Sequence, residues 1–220
     1  MPIPSKLLAD FNENGIYHVF NRTNNRERLF LSDNNRFFFL HQYKNHLSQL
    51  LDTYSWNLQP NHFHFLVKAK TSNEIKKYLE CKGLSNLTLT ENRFLHDEIS
   101  QSELTEKGFK RFFQSYAQSF NNMHNRNGNL FYKPFKRIEV VGDSYFDQAM
   151  IYIHANAIKH RLVKDIKQYK WSSWHSILSD SPTNLLRDEI LDWFGGKERF
   201  IKIHLEMTKY YYETDVAIED

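Results

Sequence analysis

The sequence predicts an α+β fold on the ferredoxin-like plan, an antiparallel sheet with helices on one face, followed by a C-terminal helical extension. Three observations lead there. Short β-branched and aromatic runs with two-residue periodicity alternate with longer segments of helical periodicity. Their order is strand, helix, strand, strand, helix, helix, strand, helix, which suits helices gathered against an antiparallel sheet. Only 7 Gly and 5 Pro occur in 220 residues, while 40% hydrophobic and 15% aromatic residues supply a core. The expected division is 1–178 as the main domain and 179–220 as a helical extension packed on it.

Gly15 to Asn21 is β-branched and aromatic between Asn and Gly, and reads as the first strand. Asp33 is placed to cap a helix reaching about Leu51, in which Phe37, Leu40, Tyr43 and Leu47 recur at helical spacing. Thr53 to Leu58 forms a second strand, Gln59-Pro60-Asn61 a turn, and His62 to Ala69 a third strand. Ser72 to Glu80 is helical, and Gly83 to Ser102 is an excursion of loop and short helix. A long amphipathic helix covers about Ser102 to Met123, with Phe109, Phe112, Phe113, Tyr116 and Phe120 on one stripe that belongs in a core. Asn125 to Asn129 turns the chain into a further strand, Leu130 to Val141, interrupted by Pro134. Asp143 or Ser144 then caps a helix carrying Tyr145, Phe146, Ala149, Ile153 and Ala157. Beyond Trp171-Ser172-Ser173-Trp174 the chain is mostly helical, with a break at Gly195-Gly196.

The single cysteine, Cys81, excludes an intramolecular disulfide and suits a reducing compartment. No apolar run approaches a membrane span and Met1 to Lys6 lacks a signal core, so a cytoplasmic protein is expected. A net charge of +3 identifies no partner, but its distribution is uneven. From Lys107 to Ile138 there are seven Lys or Arg residues and no acid, whereas the stretch from Asp188 onward is acidic. That pattern points to a local polyanion site or to a solvated face.

His62-Phe63-His64 lies in the third expected strand, where alternate side chains share a face. Both imidazoles then point one way and can hold a divalent metal, while Phe63 anchors the strand from the other side. The run Gln59-Pro60-Asn61-His62-Phe63-His64-Phe65-Leu66-Val67 resembles the signature strand of the HUH single-tyrosine transposases, especially the branch associated with repetitive extragenic palindromes. That family has Pro-Asn-His-apolar-His, present here intact. Gln59 replaces a common Met, a departure expected to touch the turn and leave the ligands alone.

A second segment, Tyr152-Ile153-His154-Ala155-Asn156-Ala157-Ile158-Lys159, resembles the family's Tyr-Ile-His-x-Asn-Pro-aliphatic-basic run. The resemblance makes Tyr152 the nucleophile and Asn156, one helical turn on, the third ligand beside His62 and His64. Ala157 stands where the family has proline, which removes the signal for the helix to end just after Asn156. Asn129 to Arg137 is similar to a Gly-His-Leu-Phe-x-x-x-Phe-Lys segment, and Trp171 to Trp174 to Trp-Ser-Ser-Tyr. The resemblance spans about Gly15 to Trp174.

The implied chemistry is physically coherent. A phenol with a pKa near ~10 is a weak nucleophile at neutral pH, and a phosphodiester repels it. Two imidazoles and an amide oxygen leave a cation's charge undiminished and suit Mn²⁺ or Mg²⁺. The resemblance therefore implies nicking and rejoining of single-stranded DNA near a hairpin through a 5′-phosphotyrosine. Lys110, Arg111, Lys133, Lys136, Arg137 and Lys159 are the expected DNA contacts, and His154, two positions from Tyr152, is expected to be structural. Other readings are a DNA-hairpin-binding protein without cleavage, a metal phosphodiesterase using water, and an RNA-binding module. A homodimer, with Tyr152 serving its own or a partner's site, stays open.

Overall fold

The computed structural model describes residues 5–213. Four strands, β1 (Ile16–Arg22), β2 (Leu51–Leu58), β3 (His62–Ala69) and β4 (Lys136–Glu139), form one antiparallel sheet in the order β2-β3-β1-β4. The helices are α1 (Asp33–Leu47), α2 (Ser72–Lys82), α3 (Leu89–Leu95), α4 (Gln101–Met123), α5 (Asp143–Lys159), α6 (Trp174–Leu178), α7 (Arg187–Phe194) and α8 (Lys197–Glu213). The α+β class, the antiparallel sheet and the C-terminal helices are as the sequence predicts. The end of the expected extension, 214–220, and the N-terminal Met1 to Pro4 lie outside the described residues. No helix among the described residues is long and apolar enough to cross a membrane.

Period-two alternation in β3 builds two layers. Phe63, Phe65, Val67 and Ala69 enter a core with Phe39, Tyr43 and Leu47 of α1 and Phe109, Phe112 and Tyr116 of α4. Each of the two β3 phenylalanines contributes about 1.5–3 kcal/mol by leaving water. Leu66 faces the opposite way, into a second core with Tyr152 and Ile153 of α5, Trp174, and Phe200 of α8. Helices on one face therefore describes only α1 and α4; α5 covers the other face. The α5 helix is buried from Ala149 to Ile158 without a break, because the sheet packs on one side and α8 on the other.

Local chemistry sets the ends. Ser32, rather than Asp33, caps α1: its Oγ accepts from Asn35 N at 3.3 Å, and Asn35 Oδ1 accepts from Ser32 N at 3.2 Å. Gly142, rather than Asp143 or Ser144, precedes α5, with φ 87, which a side chain would resist. The expected strand at Leu130–Val141 shrinks to β4, because only Lys136–Glu139 pair with β1 in a ladder. The Trp171–Ser173 segment runs along the free edge of β2: Leu58 N donates to Trp171 O and Ser173 N to Trp56 O, both at 2.9 Å. That edge is covered there.

Candidate nucleic-acid processing site

Residues paired across an antiparallel sheet share a face. His64 lies between Phe20 on β1 and Asn57 on β2, His62 lies opposite Arg22, and Phe20 lies opposite Lys136 of β4. Both histidines thus project from the sheet face that carries α5. Their ring centres are 5.1 Å apart at 89°. A separation of about 5 Å is what two imidazoles sharing one ion through nitrogens at ~2.1 Å require.

The surrounding hydrogen bonds suit that use. His62 Nδ1 lies 2.7 Å from Asn61 Oδ1, an oxygen that can only accept, so Nδ1 carries the proton and Nε2 the lone pair. His64, fully buried, has Nδ1 at 3.0 Å from His18 Nε2. If His64 donates there, its Nε2 likewise carries the lone pair, and His18 holds the ring from behind. Sequence reasoning did not single out His18 or His160. His18 alternates with Phe20 and Arg22 along β1, but its role depends on the β1–β3 register, which no local pattern reveals. His160, just past α5, has its ring 4.8 Å from that of His62.

Tyr152 comes to the same place from α5, with its ring 6.0 Å from those of both His64 and His18. It is only 2% exposed, and Lys159 Nζ sits 5.1 Å from the ring centre. The α5 helix does not stop after Asn156. With Ala157 in place of proline it runs to Lys159, which brings Lys159 over the tyrosine and His160 against His62.

Asn156 is fully buried, and its Oδ1 accepts from Gln59 Nε2 at 2.9 Å. The expectation that Gln59 leaves the ligands alone is therefore corrected: this residue, also fully buried, grips the very oxygen assigned to a metal. Gln59 Oε1 and Asn156 Nδ2 are buried with no hydrogen-bond partner among the described residues. The Asn156 oxygen keeps a second lone pair for a cation. Among the described residues no three His, Cys, Asp or Glu side chains form a group that could hold a metal ion.

The expected DNA contacts separate in space. Lys136 lines a cavity of about 410 Å³ together with Arg22, Arg26, His62, Tyr132 and His160. Lys133 is exposed in the segment leading to β4, and Lys159 is exposed beside Tyr152. Arg137 goes elsewhere. It points to the other side of the sheet and is 6% exposed, bonding Ala9 O at 2.5 Å and pairing with Glu106. Lys110 and Arg111 sit on α4, across the sheet from the histidines, with Arg111 donating to Thr90 Oγ1 at 3.1 Å.

His154 is structural, as expected. Phe200 O can only accept, so His204 Nδ1 donates to it at 2.9 Å, and His204 Nε2 must accept from His154 Nδ1 at 3.0 Å. His154 Nε2 then accepts from Ser173 Oγ at 2.8 Å, which itself accepts from Trp56 N at 3.0 Å. Burial holds both imidazoles neutral: His204 is pushed down to about 3, and His154 well below its ordinary value, with the neighbouring His204 adding to the shift.

No protein family's sequence model matches the chain, and no curated protein sequence matches it. Among solved structures, one described as a REP-associated tyrosine transposase bound to a REP hairpin is 13% identical, covering 79% of this chain and 86% of that one, with a TM-score of 0.48.

Proposed function

We propose that this protein is a metal-dependent endonuclease and strand transferase acting on single-stranded DNA near a hairpin, with Tyr152 as nucleophile. The observation that supports it is the meeting of His62, His64 and Tyr152 on one sheet face, from a strand and a helix 90 residues apart in sequence terms when His62 and Tyr152 are compared. A bound Mg²⁺ or Mn²⁺ would supply charge neutralisation at a non-bridging phosphate oxygen. His62 and His64 would hold it, with Asn156 as the amide donor.

The chain's own residues do the rest. The Tyr152 hydroxyl gives its proton to solvent as its oxygen attacks phosphorus, the new O–P bond forms as the bond to the 3′ oxygen breaks, and that oxygen takes a proton from solvent and leaves as a 3′-hydroxyl. The phosphoryl group stays on Tyr152 as a 5′-phosphotyrosine, and attack by a 3′-hydroxyl reverses the step with no outside energy source. Lys159, exposed with its Nζ 5.1 Å from the centre of the Tyr152 ring, would place positive charge beside the phosphate.

A second reading, hairpin binding without cleavage, is favoured by the 2% exposure of Tyr152 and the Gln59 grip on Asn156. One assay separates the two. Labelled single strands are incubated with Mn²⁺ or Mg²⁺ and resolved on a denaturing gel. A covalent adduct in the parent, absent in Tyr152→Phe and after chelation, is the expected result. Cleavage without adduct means hydrolysis by water, and binding without cleavage means the second reading.

A further inference from the structure

We infer that the phosphate backbone of the DNA crosses the His62 cavity along a basic channel with two banks, Arg22, Arg26 and Lys136 on one side and Arg161, Lys164 and Lys167 on the other. This rests on the proposed DNA substrate but not on the tyrosine chemistry.

The second bank is the loop 160–170. At its start His160 packs on His62, ring centres 4.8 Å apart. At its end Tyr169 Oη donates to Leu58 O at 2.7 Å, and Leu58 N donates to Trp171 O at 2.9 Å. Both ends are thus tied to the two sides of the β2–β3 turn, so the loop borders the His62 end of the sheet. Arg161, Lys164 and Lys167 are exposed on it. Its one acid, Asp165, accepts from Lys167 N at 2.9 Å, capping the short turn that follows it.

The first bank lines the cavity itself, which His160 at the start of the loop also lines. Arg22 stands opposite His62 in the sheet, exposed, with its guanidinium 5.4 Å from the centre of the Tyr132 ring. Tyr132 is 41% exposed and lines the cavity, which offers a base a ring to stack on. Nearby acids are already neutralised: Glu27 pairs with Arg126 at 2.7 Å, and Asp33 with Lys170 at 2.5 Å. Cations that track phosphates beside an exposed ring are the features a single strand needs. The α4 surface, across the sheet, offers no path over His62.

The experiment measures binding of a fluorescent hairpin with a single-stranded arm as salt is varied. It uses Tyr152→Phe protein in chelator, so that cleavage plays no part. Each single-strand phosphate contact removed lowers the slope of log affinity against log salt by about 0.7. Lys164→Ala with Lys167→Ala is expected to lower the slope by about twice that and affinity on the order of tenfold at physiological salt. Arg22→Ala is expected to lower the slope by one contact, while Lys107→Ala on α4 changes neither quantity. Thermal melting of each variant shows that it remains folded. Unchanged slopes in the bank variants overturn the channel, as does a loss seen only with RNA of the same sequence, or a parent that binds no DNA. Unchanged slopes beside a covalent adduct in the parent reject the channel alone; lowered slopes without an adduct support it and reject the tyrosine chemistry.

Discussion

Gln59 and Asn156 meet as two fully buried amides joined by one hydrogen bond, with Gln59 Oε1 and Asn156 Nδ2 left without partners among the described residues. A buried polar atom that loses its partner costs about 1–3 kcal/mol, whereas removing both members of a pair costs far less. Gln59→Leu is therefore expected to destabilise the fold by stranding Asn156 Oδ1, and Asn156→Leu by stranding Gln59 Nε2. The double variant should fall short of the sum by about 0.5–1.5 kcal/mol. Urea unfolding of the four proteins measures this; additive losses would show that the two amides do not act together. The same contact explains why the sequence misjudged Gln59. In the chain it precedes a turn proline, and nothing local says that its side chain reaches a helix 97 residues away.

At the scale of elements, the deciding feature is the length of α5. Ala157 permits the helix to run to Lys159, and the extra turn is what sets Lys159 over Tyr152 and His160 against His62. Proline at this position removes the N–H that bonds the Ile153 carbonyl and crowds that oxygen, which already accepts from Asn57 Nδ2 at 2.9 Å. Ala157→Pro is expected to cost about 3 kcal/mol in unfolding free energy. It should also reduce adduct yield by displacing Lys159. A variant as stable as the parent, with full adduct formation, would mean that the last turn of α5 contributes neither order nor catalysis. The His-Phe-His strand needed no such correction. Its period-two alternation placed both imidazoles on one face and Phe63 in the core, because a strand's side-chain directions are fixed by local backbone geometry.

At the scale of the whole molecule, the neutral chain from Phe200 through His204 and His154 to Ser173 and Trp56 joins α8, α5, the covering edge segment and β2. Its pH consequence has a definite sign. Both histidines are held below the ordinary value of 6.5 in the folded protein, His204 to about 3, so the unfolded chain takes up protons first as pH falls. Their contribution to stability is complete above about 6.5 and declines below it, down to about 3 for His204. The slope approaches ~1.4 kcal/mol per pH unit for each histidine. Urea midpoints should therefore fall between pH 7 and about 5, before carboxylates titrate. A variant with His154→Leu and His204→Leu together should show a flatter profile. An equally steep profile in that variant would remove these histidines as the cause. Burial on the two sides of α5 is the physical source of the effect, and it depends on α8 packing there.

By itself the sequence determined the strands and helices, the alternation that splits β3 into a core side and an imidazole side, and the two segments that hold Tyr152 and the histidine pair. The elements and the alternation follow from periodicity, which acts over a few residues, whereas the two segments stand out through their resemblance to the HUH transposase runs. Only the tertiary structure decided that α5 covers the second sheet face, that His18 stands behind His64 and that Gln59 holds Asn156. It also decided that Arg137 turns inward, while Arg22 and His160 line the cavity. These depend on strand register and helix docking, which bring together side chains far apart in the chain, and no local pattern encodes such meetings.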